Sequence, residues 1–119
     1  MSTVTLKHIK RAREVIRDSV RHTPLIPSPS LSEIAGVDVH LKLETLQDIG
    51  AFKIRGATNK LASLSDEEKT RGVVAVSTGN HGRGVAAAAK KMGIRAIICM
   101  GNRVPENKLA GIRALGAEI

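Results

Sequence analysis

The fold and the chemistry of this chain both depend on one stretch, Gly50–Ala57, with the sequence GAFKIRGA. It lies between a strand-like run and a helix-like run, and it places Lys53 in the first turn of the predicted helix. Cations are disfavoured at the positive end of a helix dipole, so this position favours the neutral amine, which is the nucleophilic form. A solvated lysine near a turn is the plainer interpretation, and the stretch alone does not decide between the two.

The composition is that of a globular protein with an aliphatic core and a basic surface. Of the 119 residues, 42% are hydrophobic and 25% charged, with one Phe and neither Tyr nor Trp. The 19 basic and 11 acidic residues give a net charge of +8, which suits an anionic partner. Nucleic-acid binding rests on this charge alone, because aromatic platforms for bases are absent, and we expect no such partner. Without a signal-type or membrane-spanning apolar run, we expect a cytoplasmic protein with no membrane partner.

The first half of the chain mixes helices with extended segments. Apolar residues at helical spacing predict an amphipathic helix over residues 6–19. Ser28, Pro29 and Gly36 are typical boundary residues of a short helix between them. Alternation of apolar and polar residues over 39–44 predicts a half-exposed strand.

The second half predicts a parallel βαβ unit. Val73–Val76 is a continuous apolar run, which is typical of a strand covered on both faces, and it is followed by a helix over Val85–Met92 and a strand over Ala96–Met100. Cys99, the single cysteine, lies in that last run and is predicted to be a buried, unreactive thiol. After a helix from about residue 105 to 115, the chain ends where another strand begins, so we expect it to be the front part of a larger α/β protein.

A second candidate site lies between the first strand of this unit and its helix. The loop Ser77–Gly84, STGNHGRG, would expose backbone N–H groups to an anion, Ser77 and Thr78 would add hydroxyl groups, and Asn80 and His81 would add directional polar groups. Its glycine order matches neither the dinucleotide pattern nor the P-loop. A tight turn with glycines for close packing is the alternative. A lysine able to form an imine near a small-anion site fits aldehyde-cofactor chemistry on amino acids.

Two motifs carry a resemblance to a known family. Leu41–Ala57, LKLETLQDIGAFKIRGA, resembles the cofactor-lysine signature of the fold-type II pyridoxal-phosphate enzymes, which include threonine/serine dehydratases and serine racemases. Ser77–Gly82 resembles their substrate-carboxylate loop, and Thr23–Leu25 and Lys108–Ile119 match further motifs in the same order. The resemblance is greatest to dehydratases for threonine or for hydroxyectoine utilisation. It implies an α/β fold with the parallel three-layer αβα sheet of the tryptophan-synthase β-subunit, incomplete here at the C-terminus.

The resemblance also implies roles for individual residues. Lys53 would hold pyridoxal 5'-phosphate as an imine and move the substrate's α-proton, Phe52 would pack beside the cofactor ring, and Asn80 would hydrogen-bond its phenolic oxygen. The residues implied for the substrate carboxylate are Ser77, Thr78, Gly79, Asn80 and His81. No metal ligand is implied in this chain. Residues 1–44 would belong to the large domain, and residues 45–119 would form the small-domain portion with the lysine and the loop.

The implied activity is that of a lyase. A dehydratase of the threonine/serine ammonia-lyase type removes water from a small hydroxy amino acid to give a 2-keto acid and ammonia, and we expect a homodimer. The family's phosphate-binding loop and its partner for the pyridine nitrogen belong to a second half, so we expect the isolated chain to be inactive. Two alternatives remain, an amino-acid racemase of the same family and a non-catalytic α/β module that binds anions or dimerises. Ala51 is a departure, because the family usually has serine there.

Overall fold

The computed structural model describes residues 3–119 as a mixed α/β chain with two small sheets. Met1 and Ser2, which begin the predicted segment 1–44, lie outside the described residues. The elements in chain order are α1 (Leu6–Ile16), β1 (Leu25–Pro27), α2 (Pro29–Ala35), β2 (His40–Lys42), a 3-10 helix (Glu44–Leu46), α3 (Lys53–Ala62), α4 (Asp66–Arg71), β3 (Val73–Val76), α5 (Asn80–Met92), β4 (Ala96–Cys99) and α6 (Glu106–Ala114).

The N-terminal third contains a two-stranded antiparallel sheet. β1 pairs with β2, with Leu25 opposite Lys42. α2 lies between the strands and has the predicted boundaries, because Pro29 occupies its first turn and Gly36 ends it with φ +68. α1 ends at Ile16, three residues earlier than predicted, because the chain then turns and the N–H groups of Ser19 and Val20 donate to the Ile16 carbonyl.

The C-terminal part contains the predicted parallel unit. β3 and β4 pair in parallel, with Val73 opposite Ala96, and α5 connects them. Beyond α6, Glu118 forms a parallel bridge with Ile97, so the predicted strand at the end of the sequence does begin there. β4 therefore pairs with β3 on one side and with Glu118 on the other.

Three local predictions for this unit are wrong. α5 begins at Asn80 rather than Val85, so the second half of the predicted loop is helical. Val74 and Val76 are 66% and 82% exposed while their strand neighbours pack against the core, so only one face of β3 is covered by the described residues. Cys99, at the end of β4, is exposed rather than buried.

The core forms where α3 lies against α5. Ile54, Ala57 and Leu61 on α3 are buried with the run Val85–Ala89 on α5 and with Ile98 of β4. Burying a side chain such as Ile54 contributes roughly 1.5–3 kcal/mol relative to leaving it exposed. The alanines of α5 allow its backbone to approach α3 closely, so the start of α3 is fixed relative to the start of α5. Within residues 3–119, no helix is long and apolar enough to cross a membrane.

Candidate active site

A sharp turn places Lys53 at the surface at the first position of α3. Gly50 has φ +68, a conformation that favours glycine, and its N–H donates to the Gln47 carbonyl over 2.7 Å. Ile49 and Ala51, on either side, are buried and anchor the turn in the core. Lys53 then begins the helix, as predicted, and its side chain is exposed.

The amine of Lys53 is held only weakly. Its Nζ lies 5.1 Å from the centroid of the Phe52 ring, and that residue is 59% exposed. Among the ion pairs of residues 3–119, none involves Lys53. A cation–π contact at an exposed site contributes about 0.5–1 kcal/mol, which an incoming reaction partner can replace. The amine is therefore accessible to a carbonyl compound.

Lys53 shares a cavity with one residue of the predicted carboxylate loop. The cavity has a volume of about 560 Å³, and Phe52, Lys53 and His81 all line it. Apolar side chains of α3 and β3, such as Leu61 and Val73, form much of the remaining wall. The structure thus brings Phe52 and Lys53 together with His81, which follows Lys53 by 28 positions in the sequence.

The loop at the carboxyl end of β3 leads directly into the uncapped start of α5. Its Ser77 N–H donates to the Cys99 carbonyl over 3.1 Å, and the Gly79 N–H donates to Ser77 Oγ over 3.2 Å. α5 begins directly after Gly79, and no side chain of residues 3–119 caps its first N–H groups. Free N–H groups at the positive end of a helix dipole are a common place for anions to bind in proteins, and the anion site here stays a prediction.

The other predicted carboxylate residues are not all on the Lys53 cavity. Thr78 lines a separate, smaller cavity of about 390 Å³ with Arg103 and Lys108. Ser77, Gly79 and Asn80 line neither of these two cavities. Within residues 3–119, the loop therefore reaches the lysine cavity through His81 alone.

A polar cluster that the sequence did not reveal supports α3 just beyond Lys53. Arg55 donates from Nε to Glu44 Oε2 over 2.9 Å and from Nη2 to Oε1 over 2.7 Å, a bidentate pair. Thr23 Oγ1 donates to the same Oε1 over 2.5 Å, and Gln47 Nε2 donates to Oε2 over 3.3 Å. We call Thr23, Glu44, Gln47 and Arg55 the Glu44 cluster. The hydrogen bonds from Arg55 lower the pKa of Glu44 to about 2, against the opposing effect of burial.

A second charged bridge holds the turn before Lys53. Lys91, at the end of α5, donates to Asp48 Oδ2 over 3.0 Å, and Arg21 donates to Oδ1 over 2.6 Å. These hydrogen bonds, with that of Lys91 the larger cause, lower the pKa of Asp48. Because the partners are 27 and 43 positions from Asp48 in the sequence, no local pattern indicated the bridge.

Comparison with known proteins identifies the family. A family model described as "Pyridoxal-phosphate dependent enzyme" matches residues 16–119, so the chain belongs to the pyridoxal-phosphate-dependent enzymes. The family uses pyridoxal phosphate, as the resemblance of the two motifs implied.

Individual relatives carry the names of dehydratases and racemases. A "putative threonine dehydratase" of Sinorhizobium fredii is 53% identical over all of this chain and 36% of its own length. An "L-threonine ammonia-lyase" of Thermotoga maritima is 49% identical over 98% of this chain and 29% of its own length. The crystal structure of a serine racemase from Dictyostelium discoideum superposes with a TM-score of 0.92 at 38% identity, over 98% of this chain and 38% of that one. The chain spans about a third of the length of the curated relatives it matches.

Proposed function

We propose that this protein is a pyridoxal-phosphate-dependent hydroxy-amino-acid dehydratase of the threonine/serine ammonia-lyase type. The reaction removes water from the amino acid by α,β-elimination, and hydrolysis of the released enamine then gives a 2-keto acid and ammonia. The observation that carries the proposal is the placement of Lys53, an accessible amine at the first turn of α3, on one cavity with His81 of the anion loop. The names of the relatives from Sinorhizobium fredii and Thermotoga maritima support this reaction class.

The donor set in this chain fits the cofactor. An exposed primary amine without an ion-pair partner among residues 3–119 is what an aldehyde requires, and a cavity of about 560 Å³ adjoins it. Lys53 would hold the cofactor, Phe52 would contact its ring, and Asn80 would hydrogen-bond its phenolic oxygen. When bound, pyridoxal phosphate supplies an aldehyde for the amino group of the substrate and a ring that withdraws electrons from Cα.

The residues of this chain would then orient the substrate and move its protons. The substrate carboxylate would lie at the start of α5, where the free N–H groups, the hydroxyls of Ser77 and Thr78, the backbone of Gly79 and the ring of His81 would contact it. Fixing the carboxylate orients the Cα–H bond toward one face. Lys53 Nζ would accept the α-proton, and the β-hydroxyl would leave as water after gaining a proton.

A racemase of the same family is the second candidate, favoured by the fold similarity to the serine racemase from Dictyostelium discoideum. It would use the same lysine and carboxylate loop but return the proton to the other face of Cα. The two reactions are distinguished by their products from L-serine, because a dehydratase gives a 2-keto acid and ammonia whereas a racemase gives D-serine. The homodimer, the cytoplasmic location and the division at residues 44 and 45 stay predictions.

The test is covalent trapping of the cofactor on Lys53. The protein at its natural length is incubated with pyridoxal phosphate, reduced with borohydride, digested and analysed by mass spectrometry. We expect the cofactor mass on the Lys53 peptide and its loss in Lys53→Ala. Lys60→Ala is the matched control, because Lys60 is an exposed lysine of the same helix and lines the same cavity. Equal trapping on both lysines, or none at saturating cofactor, would contradict the proposal and favour the non-catalytic module.

A further inference from the structure

Two glycines in the first turns of α5 face the two halves of the candidate site. A Cβ atom added at Gly84 would lie 3.2 Å from both the carbonyl carbon and the carbonyl oxygen of Lys53, and 3.4 Å from the Ile54 nitrogen. These are backbone atoms, which cannot rotate out of the way. The missing side chain at Gly84 therefore lets α5 lie directly against the peptide unit of Lys53.

Gly82 stands in the same relation to the carboxylate loop. A Cβ atom there would lie 3.1 Å from the Ser77 carbonyl oxygen, 3.4 Å from Ser77 Cβ and 2.9 Å from Ile98 Cγ2. Both glycines are buried. One turn of α5 thus contacts the backbone of Lys53 at one residue and the backbone of Ser77 two residues earlier.

Backbone conformation does not explain these glycines. Neither has a positive φ, and both lie within a regular helix, where glycine costs roughly 1 kcal/mol relative to alanine. Gly56 and Gly111 are also helical, but an added Cβ there would meet nothing within 4 Å. Among the helical glycines of residues 3–119, close approach is therefore confined to the two that face the site.

We propose that Gly84 and Gly82 are positioning residues that set the separation between Lys53 and the Ser77–Gly79 loop. Gly84 determines where the lysine backbone lies, and Gly82 determines where the loop lies. The inference rests on the proposed function, because it assigns the lysine to the cofactor and the loop to the substrate carboxylate. It predicts that the two substitutions affect different steps.

An alanine at each position separates these steps. At contacts of 3.2 Å the neighbour must move by a few tenths of an ångström, and small displacements of reacting groups lower rates and affinities by about 5- to 10-fold. We expect Gly84→Ala to weaken pyridoxal phosphate binding, read from visible absorption, and borohydride trapping on Lys53 by about that factor. We expect Gly82→Ala to retain trapping but to raise the KM for the amino acid by about that factor, with a smaller change in kcat.

Gly111→Ala is the control, and the measurements use the protein at its natural length. It should leave cofactor binding and KM unchanged, while the melting temperature of each variant reports its stability. Should either alanine variant fail to fold, the other arm decides alone, because each glycine is tested against its own neighbour. Equal effects of both alanines on trapping and KM, no effect of either, or unfolding of both would show that the glycines serve packing only and would overturn the inference. If the unsubstituted protein traps no cofactor, the proposed function fails and the positioning role fails with it.

Discussion

The Glu44 cluster predicts a stability contribution that depends on pH. Arg55 lowers the pKa of Glu44 from 4.5 to about 2, and the side chains of Glu44 and Arg55 are 17% and 31% exposed, respectively. Lowering the pKa by this much corresponds to roughly 3 kcal/mol, and solvent screening at Arg55 leaves about 2–3 kcal/mol. Because the folded-state pKa is depressed, this stabilisation is fully present above pH 4.5 and is lost as the pH falls through about 2.

Glu44→Gln removes the charge with little change in shape. We expect the variant to unfold at lower urea concentration at pH 7, with a loss of about 2–3 kcal/mol in unfolding free energy. At pH 3, Glu44 would already be protonated in the unfolded state, so the difference between the variant and the unsubstituted protein should shrink by about half. The assay is urea denaturation of both proteins at pH 7, 5, 4 and 3.

Glu67→Gln is the matched control for this prediction. Glu67 pairs with Arg71 at 2.7 Å, the same distance as the shortest Glu44–Arg55 contact, but its side chain is 80% exposed. We expect a change within about 0.5 kcal/mol at every pH. If Glu44→Gln costs no more than Glu67→Gln at pH 7, or if its cost does not fall with pH, the cluster does not stabilise the fold as described.

Two further predictions concern local structure. Gly72 has φ +84 and ψ −174, and a Cβ there would lie 2.7 Å from the Arg95 carbonyl oxygen, so Gly72→Ala should cost about 2–4 kcal/mol in urea denaturation. Gly36 has φ +68, but an added Cβ would meet nothing within 4 Å, so Gly36→Ala should cost only about 1–2 kcal/mol. Equal costs of the two substitutions would contradict the role of the Gly72–Arg95 contact. Ser65 and Glu68 form a capping box at α4, so Ser65→Ala should cost about 1 kcal/mol, and hydrogen exchange of the α4 amides should accelerate. Unchanged exchange would show that the cap does not hold α4.

Local boundaries were predictable because the responsible residues lie inside the elements they define. Pro29 and Gly36 delimit α2, and Ser65 begins α4, as their backbone preferences require. The prediction that α5 begins at Val85 was wrong because of its glycines. Glycine in a helix is usually unfavourable, so residues 80–84 were assigned to a loop, whereas Gly82 and Gly84 are needed for close approach of β4 and α3. That need depends on tertiary neighbours, which no local pattern encodes.

For the candidate site too, the reactive groups were predictable from the sequence, whereas the contacts that position them were not. Lys53 and the loop at the start of α5 were predictable, because an amine and free N–H groups are properties of residue type and local position. The contacts that hold Lys53 in place were not predictable, because Arg55 bonds Glu44 across 11 residues and Gly84 contacts the lysine from 31 residues away. These two contacts hold α3 in different ways. The charged cluster fixes the helix to the N-terminal segment by directional hydrogen bonds, whereas the glycine fixes it to α5 by the absence of a side chain. A lysine that must remain accessible cannot itself be packed, so its position has to come from the backbone and from neighbours such as these.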